Sequence, residues 1–130
     1  MSFNSTNKLV YFYHSELPEK LIQYASTAQK RAKAQYSNYK VGAALLIHDD
    51  MVILGCNIES KAYPTTLCAE RVAIFSALAQ GHDTFSALAL VTSDFAYPCG
   101  SCRQIIHEYT HDIPIYISDG STTYVTHSIS

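Results

Sequence analysis

Two short motifs constrain this chain more than anything else in it: Cys68-Ala69-Glu70 and, after a gap, Pro98-Cys99-Gly100-Ser101-Cys102. A fold that uses them together must bring two separate segments to one point. Three thiols with a spare carboxylate fit a catalytic zinc, which takes three protein ligands and leaves its fourth position to water, whereas a structural zinc is closed by four. Cys68, Cys99 and Cys102 supply the three ligands. The fourth position then carries water or hydroxide, and Glu70 is left to take a proton from the bound water and pass it to a substrate nitrogen. Cys-x-x-Cys alone would equally mark a redox pair or a structural zinc; Pro98 and the upstream Cys-x-Glu move the reading to a catalytic ion, one per chain.

Composition narrows what surrounds such a site. With 130 residues, 48% hydrophobic and 15% charged, the chain suits one compact domain with a real core. A net charge of -2 gives no general basic field for a phosphate backbone. The expected partner is therefore a small molecule, with no nucleic acid. Leu9-Val10-Tyr11-Phe12-Tyr13 is too short for a signal-peptide core, and no stretch approaches the ~20 apolar residues that span a membrane. Four cysteines, two as Cys-x-x-Cys, fit a reducing compartment, so the expected location is cytoplasmic.

In chain order, residues 1–14 lack periodicity and read as an N-terminal extension, leaving 15–130 as the catalytic domain. Ser15 can cap a helix that carries Leu17, Leu21, Ile22, Ala25, Ala28 and Ala32 on one face and ends near Gln35-Tyr36. Val41 to Ile47 and Met51 to Ile58 form a hairpin, both strands buried on both faces. Thr65 or Thr66 can cap a helix from Leu67 to Gln80 that Gly81 stops. Ala87 to Thr92 is a strand, Cys99 to Tyr109 a helix, and Ile113–Ile117 and Thr122–Val125 are strands about Asp119-Gly120. The order αββαβαββ predicts an α/β fold: a three-layer α/β/α sandwich on a mixed sheet of about five strands.

On this layout Cys68 and Glu70 open one helix, and Cys99 and Cys102 open the next. Helix N-termini favour thiolates, and a spacing of three puts Cys99 and Cys102 on one turn. Three thiolates leave the site one negative charge in excess, and Arg71 is the natural group to donate to the sulfurs.

From Tyr36 to Glu108 the chain resembles the small homotetrameric zinc-dependent cytidine deaminase family, within the cytidine deaminase-like superfamily. The segments that carry the resemblance are Val41-Gly42-Ala43-Ala44-Leu45-Leu46, Gly55-Cys56-Asn57-Ile58-Glu59, Cys68-Ala69-Glu70-Arg71 and Pro98-Cys99-Gly100-Ser101-Cys102-Arg103-Gln104. Cys-Ala-Glu with Pro-Cys-x-x-Cys marks zinc deaminases in general; Asn57-Ile58-Glu59 narrows this to nucleoside enzymes. The resemblance implies hydrolytic deamination of cytidine and 2′-deoxycytidine, a step of pyrimidine salvage, in a homotetramer whose sites are shared between subunits. It implies that Asn57 and Glu59 hold the ribose 3′-hydroxyl and that the Ala69 N–H contacts the pyrimidine carbonyl. Tyr39 stands where the family usually has a Phe flanking the base, and its added hydroxyl needs a partner. Tyr63 is implied to reach a neighbouring subunit's site, and Gln104 to support the ligands. Ser60 and Lys61 replace the family's common Asn and Ala, and the family's Leu-Leu-Pro segment and closing Phe are missing before Ser130.

Each of these residues also has a plainer reading. Asn57 and Glu59 can be polar residues at a strand end, Tyr39 packing, Arg71 a solvated helix residue and Cys56 a small buried hydrophobe. The six histidines have no ligand-like spacing. Two alternatives to cytidine deamination stay open: deamination of a modified cytosine nucleoside or nucleoside antibiotic, and a non-catalytic zinc-stabilised binding module. The second gives Glu70 no task.

Overall fold

The computed structural model describes residues 7–9, 17–48, 51–62, 67–94, 100–110, 113–121 and 123–127. Its elements are β1 (Asn7–Leu9), α1 (Leu17–Gln29), β2 (Gly42–His48), β3 (Met51–Cys56), α2 (Ala69–Ala79), β4 (Ala87–Val91), α3 (Gly100–Thr110), β5 (Ile115–Ser118) and β6 (Tyr124–His127). They form one mixed sheet in the order β1-β3-β2-β4-β5-β6. The five expected strands are all present. A sixth joins them because Asn7, Lys8 and Leu9 pair with Ile53, Val52 and Met51 and cover the edge of β3.

Strand alternation divides the core into two layers. Ala43, Leu45 and Ile47 of β2 face Ala69, Ala73, Ile74 and Ala77 of α2 and Ile106 of α3. Ala44 and Leu46 face Leu21, Ile22, Ala25 and Ala28 of α1 on the other side. Residues 42–47 of β2 are therefore buried throughout, as a strand covered on both faces must be.

Two helix boundaries differ from the sequence reading. α1 ends at Gln29, several residues before Gln35-Tyr36. The apolar period continues through Ala32, but the Lys33 N–H donates to the Asn57 carbonyl and the Glu59 N–H to the Lys33 carbonyl, so a β-bridge draws the chain out of the helix. At α2, the N-cap is Cys68, not a threonine, and it makes no side-chain cap. Thr65, Thr66 and Ser15 lie outside the described residues. The C-terminal expectation for α2 holds: Gly81 takes φ +90°, its N–H donates to Leu78 and that of His82 to Ala77, the paired bonds of a Schellman stop.

The topology decides where chemistry can gather. β3 and β4 both run antiparallel to β2, so they run parallel to each other and release the chain at the same end of the sheet. Gly42, which opens β2, pairs there with Cys56 on one side and Val91 on the other. Each strand is followed by a helix on the same face, and α2 and α3 thus begin side by side.

Candidate active site

Cys68, Glu70 and Cys102 meet at that end of the sheet. One sulfur from each cysteine and one carboxylate oxygen of Glu70 all lie within 4.8 Å of one another. Cys68 is the N-cap of α2, Glu70 is in its first turn, and Cys102 is in the first turn of α3. Both thiols therefore sit at positive helix ends, where backbone N–H groups lack intrahelical acceptors. Gly55 makes the close approach possible: a Cβ there would stand 2.3 Å from the Ala69 carbonyl oxygen and 2.6 Å from the Ala73 nitrogen. Only a residue without a side chain lets the first turn of α2 rest directly on β3.

Glu70 is 6% exposed and Cys102 is 1% exposed. Burial raises the Glu70 pKa to about 7, with the negative charge of Cys68 adding to the effect; its own backbone N–H, a hydrogen bond with Cys102 and the charge of Arg71 act against it. A carboxyl poised there exchanges a proton readily near neutral pH. Arg71 Nη2 lies 3.8 Å from Cys68 Sγ as a donor, so the charge-offsetting role read from sequence has a contact behind it.

The donor set fits zinc. Two sulfurs converge on one point, neither Cys68 nor Cys102 is tied up in a disulfide, both sit at helix ends that favour thiolate, and a guanidinium faces one of them. Cys99, the third expected ligand, and Tyr63 lie outside the described residues.

The expected substrate contacts surround this point. Ala69 opens α2, so its N–H belongs to the first-turn donors that no helix carbonyl satisfies. Asn57 is buried, its Oδ1 accepts from the Val41 N–H at 2.9 Å, and its Nδ2 donates to the Tyr39 carbonyl at 2.7 Å. Glu59 Oε1 accepts from the N–H groups of Tyr36 and Ser37 at 3.0 Å each, and Oε2 accepts from the Ser37 hydroxyl. These donors hold the Glu59 carboxyl below its ordinary pKa, the Ser37 hydroxyl most strongly. Asn57 and Glu59 thus shape the 36–41 segment whatever else they bind. Gln104 stands exposed on α3.

Tyr39 has the partner its hydroxyl requires: it donates to Asp94 Oδ1 at 2.6 Å. Burial raises the Tyr39 pKa, and the Asp94 bond raises it further. Sequence reasoning passed over Asp94 and Ser37. The one signal for Asp94 was the extra hydroxyl of Tyr39, which named a need without naming a position 55 residues away.

The family model for the cytidine and deoxycytidylate deaminase zinc-binding region matches residues 15–117. The chain belongs to this family. It is 45% identical to a cytidine deaminase of Sporosarcina psychrophila over 104 residues, 78% of this chain and 76% of that protein. A crystal structure of cytidine deaminase from Burkholderia pseudomallei superposes with a TM-score of 0.83 at 37% identity, covering 91% of this chain and 94% of that one. A blasticidin-S deaminase of Bacillus cereus is 28% identical over 108 residues, 74% of this chain and 77% of that protein. The cytidine deaminase fold agrees with the three-layer arrangement expected from the order of elements.

Proposed function

We propose that this protein is a cytidine deaminase that hydrolyses cytidine and 2′-deoxycytidine to the corresponding uridine and ammonia. The observation that carries the reading is the buried Glu70 carboxylate held against two convergent thiols within 4.8 Å. Cys68, Cys102 and Cys99 would hold zinc, which when bound supplies the Lewis acidity that makes a proton on water removable near neutral pH.

Glu70 performs the proton transfers. Its carboxylate takes a proton from water as oxygen adds to the pyrimidine C4, and delivers it to the ring nitrogen N3. The second proton of that water passes by the same carboxyl to the amino nitrogen, the C4–N bond breaks and ammonia leaves. Glu70 ends as it began, and water has replaced the amine with a carbonyl oxygen. Arg71 holds the Cys68 sulfur while the charge at the site changes. Asn57 and Glu59 bind the ribose 3′-hydroxyl, the Ala69 N–H meets the pyrimidine carbonyl and Tyr39 flanks the base. Tyr63 is assigned to a neighbouring subunit's site and Gln104 to support of the ligands.

The enzyme acts as a homotetramer in the cytoplasm and serves pyrimidine salvage. Ile58 and Leu67, joined by a β-bridge, and Phe75 are exposed large apolar side chains, which supports burial of surface between subunits. That Cys56, Cys68 and Cys102 form no disulfide supports a reducing compartment. The test is product analysis on purified protein given cytidine, 2′-deoxycytidine, deoxycytidylate and blasticidin S in parallel. Uridine and deoxyuridine with equimolar ammonia are expected; preferential turnover of blasticidin S or deoxycytidylate would reassign the substrate, and no turnover of any would refute the reading.

A further inference from the structure

Hydrogen bonds hold Tyr39 from three different parts of the chain, and Thr92 reaches its hydroxyl beside Asp94. The Tyr39 N–H donates to Ser37 Oγ at 3.0 Å, its carbonyl accepts from Asn57 Nδ2 at 2.7 Å, and its hydroxyl donates to Asp94 Oδ1 at 2.6 Å. The Ser37 hydroxyl is itself turned toward Glu59. Asp94 lies two residues past Thr92, whose N–H is fixed to the Ser118 carbonyl at 3.0 Å where β4 ends beside β5. The bond from Tyr39 to Asp94 therefore crosses the end of the sheet at which β2 begins and β3 and β4 stop. In sequence, the stretch after Asp94 leads directly into the Pro98-Cys99-Gly100-Ser101-Cys102 motif.

We infer that Asp94 is a positioning residue: with the Tyr39 hydroxyl it forms a clasp that fixes the Tyr39 ring as one wall of the nucleoside site and ties the chain leaving β4 to the Asn57–Glu59 segment. Two features make this more than a surface contact. A phenol bonded to a carboxylate is a charge-assisted pair, shorter and stronger than a neutral one. The ring is also anchored through its own backbone, so the hydroxyl bond restrains the χ1 rotation that Asn57 and Ser37 leave open and fixes where the ring's far end lies. A Phe at position 39 would keep the wall and lose the clasp.

The inference rests on the cytidine deaminase reading for the meaning of the wall, and its test separates the two. Tyr39→Phe, Asp94→Ala, the double variant and Asp94→Asn are compared with the native protein for steady-state deamination of cytidine and for stability in denaturant. Asparagine keeps an acceptor for the phenol and removes the charge. Tyr39→Phe and Asp94→Ala should each raise KM about three- to ten-fold with a smaller change in kcat, the double variant should be no worse than the poorer single one, and Asp94→Asn should recover part of the loss, the share that does not depend on charge. Additive losses, or an Asp94→Asn variant as impaired as Asp94→Ala, would overturn the clasp. Should the native protein itself leave cytidine unchanged, the functional reading fails. The clasp is then judged by the denaturation midpoints alone, where non-additive shifts support it and additive shifts refute it.

Discussion

Arg71 illustrates how one residue can tune a site without being required by the chemistry. Its Nη2 approaches Cys68 Sγ at 3.8 Å, and a donor there spreads charge from a thiolate-rich metal site. Arg71→Ala is expected to weaken zinc binding by about 10- to 100-fold, the range found when groups that support metal ligands are removed. Competition with a coloured chelator measures it; unchanged zinc affinity would mean that the guanidinium only packs against α2. At this scale the sequence was informative where chemistry is local. Cys68, Glu70 and Cys102 announce themselves by spacing, and the structure brings them together. The work done by Asn57 and Glu59 on the 36–41 backbone was not legible, because an amide and a carboxylate give no sign of which N–H groups will reach them. Asp94 was hidden for the same reason.

Among the elements, α2 carries most of the function, and its two ends show different uses of glycine. Gly55 lets the first turn of α2 lie on β3, while Gly81 stops the helix in a left-handed conformation against open space. Gly55→Ala must push Cys68 and Glu70 away from β3, so we expect a loss of about 1–3 kcal/mol in stability together with most of the activity. Gly81→Ala is expected to cost about 1 kcal/mol and leave turnover unchanged. Denaturant unfolding and initial rates on the two variants check both statements; an active Gly55→Ala protein would remove close packing as the reason the site is placed here. Apolar positions marked α2, and the stretch after Pro98 marked α3, each to within a few residues. Hydrophobic period overextended α1, because Ala32 continues the pattern while Lys33 is claimed by the strand-like segment at Asn57–Glu59. β1 was missed since three residues are too few to show alternation, and only its partner β3 defines it.

For the whole molecule, the essential fact is that the two helices that bring Cys68 and Cys102 together follow neighbouring chain ends of parallel strands β3 and β4. Zinc held between them binds the folded chain and must stabilise it by mass action, by about 4 kcal/mol at a thousand times its Kd. Removing it with a chelator is expected to lower the melting temperature by roughly 10–20 °C for a domain of this size, and adding zinc back should restore it. A melting temperature indifferent to zinc would place the ion elsewhere. The order of elements implied the sandwich, but not that three segments, 39–42, 56–59 and 91–94, would meet at one end of it. That follows from strand pairing, which no local pattern encodes.

In the proposed mechanism Glu70 moves the protons of a zinc-dependent deamination. Replacing Glu70 with Gln keeps the shape and removes the proton acceptor, so zinc content and the loss of the cytidine ultraviolet band should be measured on the same samples of native and Glu70→Gln protein. Equal zinc is expected in both, with loss of the band for native protein and a rate at least about 10²-fold lower for the variant. A Glu70→Gln protein that deaminates cytidine at the native rate would contradict the mechanism.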